Sequence, residues 1–364
     1  MFGVKDLGKK ILEFKWQGNL SDFITALAWS DNGKILAAST GNGDVVLWQS
    51  NKLYTLQTGS GESIDCLKFS FDGKYLAAGG QQGILKIWRI SSPAEIEKTP
   101  PHSFNYSPAW IDRLAWSPKR NHLAFSTGRQ VQILDVENSL NSGQASLLTT
   151  LNFQSSTVLD LAWHPKQDFI AVCGYQGTKI WNAKDWQDDP YILSIPSATN
   201  HITWSPNGQY LAAANQDNTL TLLEWGNPHP WVMRGFSGKL RALAWSSKNS
   251  PTGAPLLAAA SAFSISVWEK QKDESIGWQA WLLDVHQGFV SATSFQPDTF
   301  LLATAAEDGQ VCIWEKAKQL GQLLEGDNSF TCLQWDKQGN QLAAGGNEGQ
   351  LTIWSKSLRG KGFG

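Results

Sequence analysis

A surplus of either charge is what this chain lacks most plainly: Lys+Arg 30 stand against Asp+Glu 32 in 364 residues, for a net charge of −2. Without a surplus there is no overall field to concentrate nucleic acid or an anionic membrane, which argues against a nucleic-acid partner. Cysteine is scarce too. Cys66, Cys173, Cys312 and Cys332 show none of the paired spacings of zinc or redox sites and fall inside expected strands, so they read as small buried apolar residues. The six histidines form no i, i+3 or i, i+4 pair, so no metal site is signalled. No stretch approaches the roughly 18 apolar residues that span a bilayer. The opening MFGVKDLGKKILEFKW has neither the apolar run nor the cleavage site of a signal peptide, and the expectation is a soluble cytoplasmic protein. Also missing are a G-x-S-x-G elbow, an H-E-x-x-H pair and a phosphate-binding glycine loop; no cofactor and no catalytic residues are expected.

What is present is repetition. A unit of 40 to 47 residues recurs eight times, and its closing position falls at Trp48, Trp88, Leu134, Trp181, Leu223, Trp268, Trp314 and Trp354. Such a period means one supersecondary unit stacked many times, so a single domain over residues 1–364 is expected despite the length. In each unit the first segment ends in an aromatic residue (Trp29, Phe69, Trp116, Trp163, Trp204, Trp245, Phe295, Trp335). An apolar residue stands two positions earlier in every unit except that of Thr293, the signature of a strand with one face buried. Turn signals such as Asp31-Asn32-Gly33 and Pro206-Asn207-Gly208 follow, then an alanine-rich strand (Ala37-Ala38, Ala77-Ala78, Ala212 to Ala214, Ala258 to Ala260, Ala343-Ala344). Alanine is a poor strand former, and its use here implies sheets packed face to face, with small residues admitting the large tryptophan of a neighbour.

These units resemble the WD-repeat family of β-propellers over about residues 9 to 356. The resemblance implies an all-β, eight-bladed propeller of four-stranded antiparallel blades. Outer strands are expected in segments such as KLYTLQTG, SLLTTLNF, YILSIP, PWVMRGF and WQAWLLDV. The last unit has no room for one, and the N-terminal strand, about residues 9–18, is expected to complete blade 8 and close the ring, leaving 357–364 as a short basic tail. The family's polar set is largely missing. Blade 7 alone keeps it, as His286, Thr304, Asp308 and Trp314, which by resemblance form a buried structural hydrogen-bond chain; blade stability is expected to rest on aromatic packing more than on polar networks. The sparse polar set and the SPNGQYLAA-type units look more like bacterial members than eukaryotic ones.

The resemblance also marks contact-prone positions on the face that carries the channel mouth. Six residues before each strand-one aromatic they include Phe23, Trp110, Lys239 and Phe289, and four before it Thr25, Asp65, Asp112, Arg241, Ser291 and Thr331; Glu307 belongs to a third set. Asp22, Glu62, Asp65 and Asp112 make an acidic arc beside Phe23 and Trp110, while Lys239, Arg241, Phe289 and Glu307 fall on blades 6 and 7. Aromatic anchors edged by charge suit a protein-binding surface, and a basic partner segment suits the arc. The function expected is a non-catalytic protein-protein scaffold or adaptor within a multi-subunit assembly. Two alternatives stand beside it: peripheral attachment to a membrane or assembly through a basic seam of Lys5, Lys9, Lys10, Lys15, Lys356, Arg359 and Lys361, and a propeller enzyme or small-ligand binder using the central channel. A long strand-one to strand-two loop in blade 6, SSKNSPTGAPLL, marks the opposite face as a further candidate.

Overall fold

A computed structural model describes residues 10–90 and 100–357, so Lys5, Lys9, Arg359, Lys361 and nearly all of the basic tail lie outside the described residues. The described chain forms eight four-stranded antiparallel sheets, arranged as an eight-bladed β-propeller. Blade 1 comprises β2 (Ile24–Trp29), β3 (Leu36–Thr40), β4 (Val45–Gln49) and β5 (Lys52–Gln57). Blades 2 to 7 repeat that plan in chain order, from β6 (Ile64–Phe69) through β29 (Gln319–Glu325). Blade 8 contains β30 (Phe330–Trp335), β31 (Gln341–Gly346) and β32 (Gln350–Lys356), and its outer strand is β1 (Leu12–Asn19) from the other end of the chain. First strands of successive blades touch one another all the way round, from β2 against β6 to β30 against β2. They therefore form the inner wall, and the ring is closed.

The register explains the composition. In every blade the closing residue of strand three faces a leucine or isoleucine of strand two: Leu36 opposite Trp48, Leu76 opposite Trp88, Leu123 opposite Leu134, Ile170 opposite Trp181. Strand two is buried on both faces, Leu36, Ala37 and Ala38 being fully buried, and only a small side chain fits between two blades. The apolar core divides into eight clusters, one per junction; that between blades 8 and 1 joins Trp29 and Trp48 to Trp16, Ala343 and Ile353. Thr293 is the exception inside as well as in sequence, its hydroxyl buried without a partner.

Packing is not the whole of the adhesion between blades. In five of the six blades whose first strand ends in tryptophan, the indole Nε1 donates to a carbonyl of the preceding blade's inner strand: Trp29 to Gln334 at 3.1 Å, Trp116 to Lys68 at 2.9 Å, Trp163 to Ala115 at 3.1 Å, Trp204 to Ala162 at 3.3 Å and Trp245 to Thr203 at 3.2 Å; Trp335 buries its Nε1 without a partner. Within blades, Asn215 links Thr199, Thr219 and Thr221 at 2.9 Å each, and Asp44 accepts from Thr40 at 3.0 Å and from the Gly59 amide at 2.7 Å. These links join the aromatic packing: where the family polar set is missing, different residues rebuild part of it. Two further features escape the repeat pattern. A short helix, α1 (Val136–Ser142), is inserted in blade 3, N-capped by the Asp135 side chain accepting from the Asn138 amide and ended by Gly143 at φ 72°. The long blade 6 loop is mostly hairpin, since β22 runs from Leu240 to Asn249 and pairs Asn249 with Pro255.

At the face opposite the mouth, His164 staples blade 4 to blade 5. Its Nε2 lies 3.0 Å from the Gly208 carbonyl, while Nδ1 accepts from the amides of Lys166 at 3.1 Å and Gln167 at 2.8 Å, which fixes the neutral Nε2–H form. Gly208 is required there: it adopts φ +78°, and a Cβ would meet the imidazole at 2.4 Å. Burial holds the His164 pKa below its usual value, and the charges of Lys119 and Lys166 add to that, against a raising contribution from the Gly208 carbonyl. A folded pKa below the unfolded one means stability complete above about pH 6.5 and falling as acid protonates the imidazole. Gln296 makes the same staple between blades 7 and 8, with Nε2 donating to the Gly339 carbonyl at 2.7 Å. His164→Gln is therefore expected to keep its melting temperature near neutrality and to lose part of the decline toward about pH 5. Melting curves across that range check it, and an unchanged pH profile would sink the assignment.

Candidate functional site

At the mouth, the ends of the inner strands bring residues of five blades around a cleft of about 530 Å³, lined by Phe23, Thr25, Asp65, Gln81, Trp110, Asp112, Arg113, Leu159 and Thr331 among others. Phe23 and Trp110 are 42% and 55% exposed, so both rings present a face to solvent rather than plugging the junction between blades. The Phe23 ring lies over Gly41, where a Cβ would approach it to 2.1 Å; the glycine provides its seat. The Ser63 hydroxyl donates to Asp65 Oδ1 at 2.6 Å. Burial pushes the pKa values of Asp65 and Asp112 above the usual carboxylate value; the Asp112 charge raises that of Asp65 further, and Arg113 opposes both shifts.

Arg113 is the residue that pattern reading missed. It places a guanidinium inside the acidic arc, with Nη1 donating to the Asp112 carbonyl at 2.9 Å and Nε to the Leu159 carbonyl at 3.0 Å, 3.8 Å from Asp160. Three positions read from the resemblance as contact-prone serve instead to bind blades together: the Thr25 hydroxyl donates to the Ile64 carbonyl at 2.5 Å, Ser291 to Phe330 at 2.7 Å and Thr331 to Ile24 at 2.6 Å.

The nine residues expected to meet a partner do not form one patch. Phe23, Asp65, Trp110 and Asp112 share the cleft, whereas Glu62 is exposed outside it. On blades 6 and 7, Arg241 pairs with Glu307 at 2.7 Å and lies 4.3 Å over the Phe289 ring, so these two charges offset one another. Phe289 in turn stacks on Phe263 at 4.8 Å; Phe263 is held out in the turn that follows Ala262 at φ 51°. Lys239 is exposed beside them. The blade 7 chain is continuous: Trp314 Nε1 donates to Thr304 Oγ1 at 2.9 Å, Thr304 meets His286 Nε2 at 2.8 Å, and His286 Nδ1 lies 3.1 Å from Asp308.

Residues 9–49, 50–89, 145–182, 192–222, 278–315 and 318–355 match the family described as WD domain, G-beta repeat, together more than half of the sequence. The chain belongs to the WD-repeat family. It is 23% identical over 299 residues to a transcriptional corepressor of Arabidopsis thaliana, LEUNIG_HOMOLOG, across 70% of this chain and 36% of the relative. It is 28% identical over 207 residues to the anaphase-promoting complex subunit cdc20 of Dictyostelium discoideum, across 54% and 39%. To the protein transport protein sec13 of Emericella nidulans it is 23% identical, across 65% and 87%. The chain thus spans little more than a third of the first two relatives. The C-terminal WD40 domain of Sif2 superimposes with a TM-score of 0.74 at 18% identity, over 96% of this chain and 99% of that domain. These relatives are eukaryotic and lend no support to a bacterial origin for the chain.

As to the alternatives, among the described residues no group of three or more His, Cys, Asp or Glu side chains is placed to hold a metal ion, and no helix is long and apolar enough to cross a membrane. Of the basic seam, Lys15 is engaged, donating to Gln341 Oε1 at 2.5 Å with its ammonium 5.1 Å from the Trp48 ring.

Proposed function

We propose that this propeller is a non-catalytic scaffold that engages a basic segment of a partner protein at the cleft formed by Phe23, Asp65, Trp110 and Asp112. The observation that carries this reading is the pairing of two half-exposed aromatic rings with two carboxyls raised in pKa within one cleft. Burial and mutual repulsion make these acids unfavourable to the fold, and a cationic side chain relieves both. Relatives that include a complex subunit, a transport protein and a corepressor support a role in protein assemblies.

A carboxyl with a raised folded pKa weakens the fold once pH passes the unfolded value of about 3.9. Asp112→Asn is therefore expected to raise the melting temperature at neutral pH while weakening partner recovery. A lowered melting temperature would show the acid to be structural. Charge reversal tests function directly. Asp65→Lys with Asp112→Lys should abolish recovery of partners by the immobilised protein without unfolding it, and recovery by the wild type should weaken as salt rises above about 0.15 M. If the reversed protein recovers the same partners at unchanged yield, while changes in the hairpin from Ser246 to Pro255 disrupt recovery, the working face is the opposite one.

A further inference from the structure

Below the mouth acids, the inner strands of blades 2 to 5 carry further charge, which begins with Arg113 at the edge of the cleft. Arg113, Asp160 and His201 occupy the equivalent position on blades 3, 4 and 5, three residues before the strand-one aromatic, where blades 1, 6, 7 and 8 have Ala26, Ala242, Ala292 and Cys332. Lys68 sits two residues further along the strand in blade 2, about 10 Å below Asp65 at the usual strand rise.

The four groups are not mutually satisfied. Asp160 is saturated: it accepts from the amides of Leu161 at 2.9 Å and Ile202 at 3.0 Å, meets His201 Nδ1, and has Arg113 Nε 3.8 Å away. His201 spends Nδ1 on that carboxylate, its side chain is 41% exposed, and among the described residues its Nε2 has no hydrogen-bond partner. Arg113 uses Nε and Nη1 on carbonyls, which leaves Nη2. Among the described residues, the Lys68 ammonium has no hydrogen-bond or ion-pair partner. Water reaches Lys68 from the lumen, yet protein surrounds it closely enough that burial lowers its pKa, against a raising effect of Asp160 across the channel. The equivalent positions of blades 1, 6, 7 and 8 carry only small side chains.

We propose that the channel holds an anion-binding site at this level, where Lys68 Nζ, Arg113 Nη2 and His201 Nε2 take a small oxyanion of the phosphate or carboxylate type. An oxyanion supplies what Lys68 lacks, a charge-assisted acceptor in a confined space. Asp65 and Asp112 above repel an anion at the mouth, so it enters from the opposite face. The site lies below the mouth acids and shares Arg113 with the cleft, and its test leaves both acids intact.

The experiment is titration of the whole protein with inorganic phosphate at matched ionic strength in chloride, followed by calorimetry and by melting temperature, for the wild type and for Lys68→Met. Phosphate should bind and stabilise the wild type, and the substitution should weaken binding by at least about tenfold. Without phosphate Lys68→Met should melt no lower than the wild type, because it removes an unpaired, desolvated charge. Should Lys68→Met fail to fold, Lys68→Gln keeps a polar end and should show the same loss of binding. Acetate in place of phosphate separates the sources: equal binding points to a carboxylate of a protein partner, and binding of phosphate alone to a free oxyanion. If neither anion binds the wild type, or if phosphate stabilises wild type and variant equally, the site does not exist.

Discussion

Deleting residues 1–20 is expected to give a protein that aggregates and melts far below the intact chain. Those residues supply the outer strand of blade 8: β1 pairs with β32 from Leu12 opposite Lys356 to Asn19 opposite Gln350, the whole length of the strand. Leu12 is buried, Trp16 packs 6.0 Å from Trp48 in blade 1, and the Leu20 amide donates to the Gly349 carbonyl at 2.8 Å. The joint reaches a third blade, because Gln322 accepts from the amides of Ile11 and Leu12 at 2.9 and 2.8 Å and donates to the Leu12 carbonyl at 2.9 Å. Each buried side chain contributes about 1.5–3 kcal/mol, and the deletion also leaves β32 an unpaired edge with Trp354 beneath it. Size-exclusion chromatography and thermal melting decide the matter. A truncated protein that remains monomeric at an unchanged melting temperature would mean that the ring is held shut by blades 8 and 1 alone.

That closure was legible in the sequence because it follows from counting strands, and the blade plan because alternation and turn signals are local. The closing residues at Trp48, Trp88, Leu134 and Trp181 each found the strand-two partner that alternation implies. What could not be read depends on what adjoining blades bring together. Nothing local in Leu159 or Asp112 says that their carbonyls will draw Arg113 into the mouth. Thr25, Ser291 and Thr331 look like surface hydroxyls until a neighbouring carbonyl stands within 2.7 Å. Helix α1 had a local signal, Asp135 ahead of it and Gly143 behind, masked because the repeat leads one to expect another strand there. Trp268 shows the same limit. It is one of the six tryptophans at the closing position, yet it is only partly buried, in a groove of about 190 Å³ lined by Phe236, Ser266 and Leu282. The preceding blade's outer strand, β21 (Trp231–Met233), is three residues long and does not cover it.

Substitution of those tryptophans should separate them into three energetic kinds. Trp48, Trp88, Trp181, Trp314 and Trp354 are buried, and cutting any one to alanine should cost about 3–5 kcal/mol, a large part of the roughly 5–15 kcal/mol that holds a typical domain. Trp268→Ala should cost clearly less, since one side of the ring already faces a groove. The finer distinction lies in the indole N–H. Trp48 and Trp88 bury theirs without an acceptor, in the blades where Ala38 and Ala78 stand at the position of Thr304. Trp314 donates to Thr304, and through it to His286 and Asp308. Phenylalanine keeps the ring and removes the donor. At position 48 it discards a group that was already unsatisfied, whereas at 314 it strips Thr304 of its partner inside a buried chain. Trp314→Phe should therefore destabilise by about 1–3 kcal/mol more than Trp48→Phe. Urea unfolding of the two variants against the wild type measures the difference. Equal losses at 48 and 314 would mean that the blade 7 chain adds nothing beyond the packing shared by its neighbours.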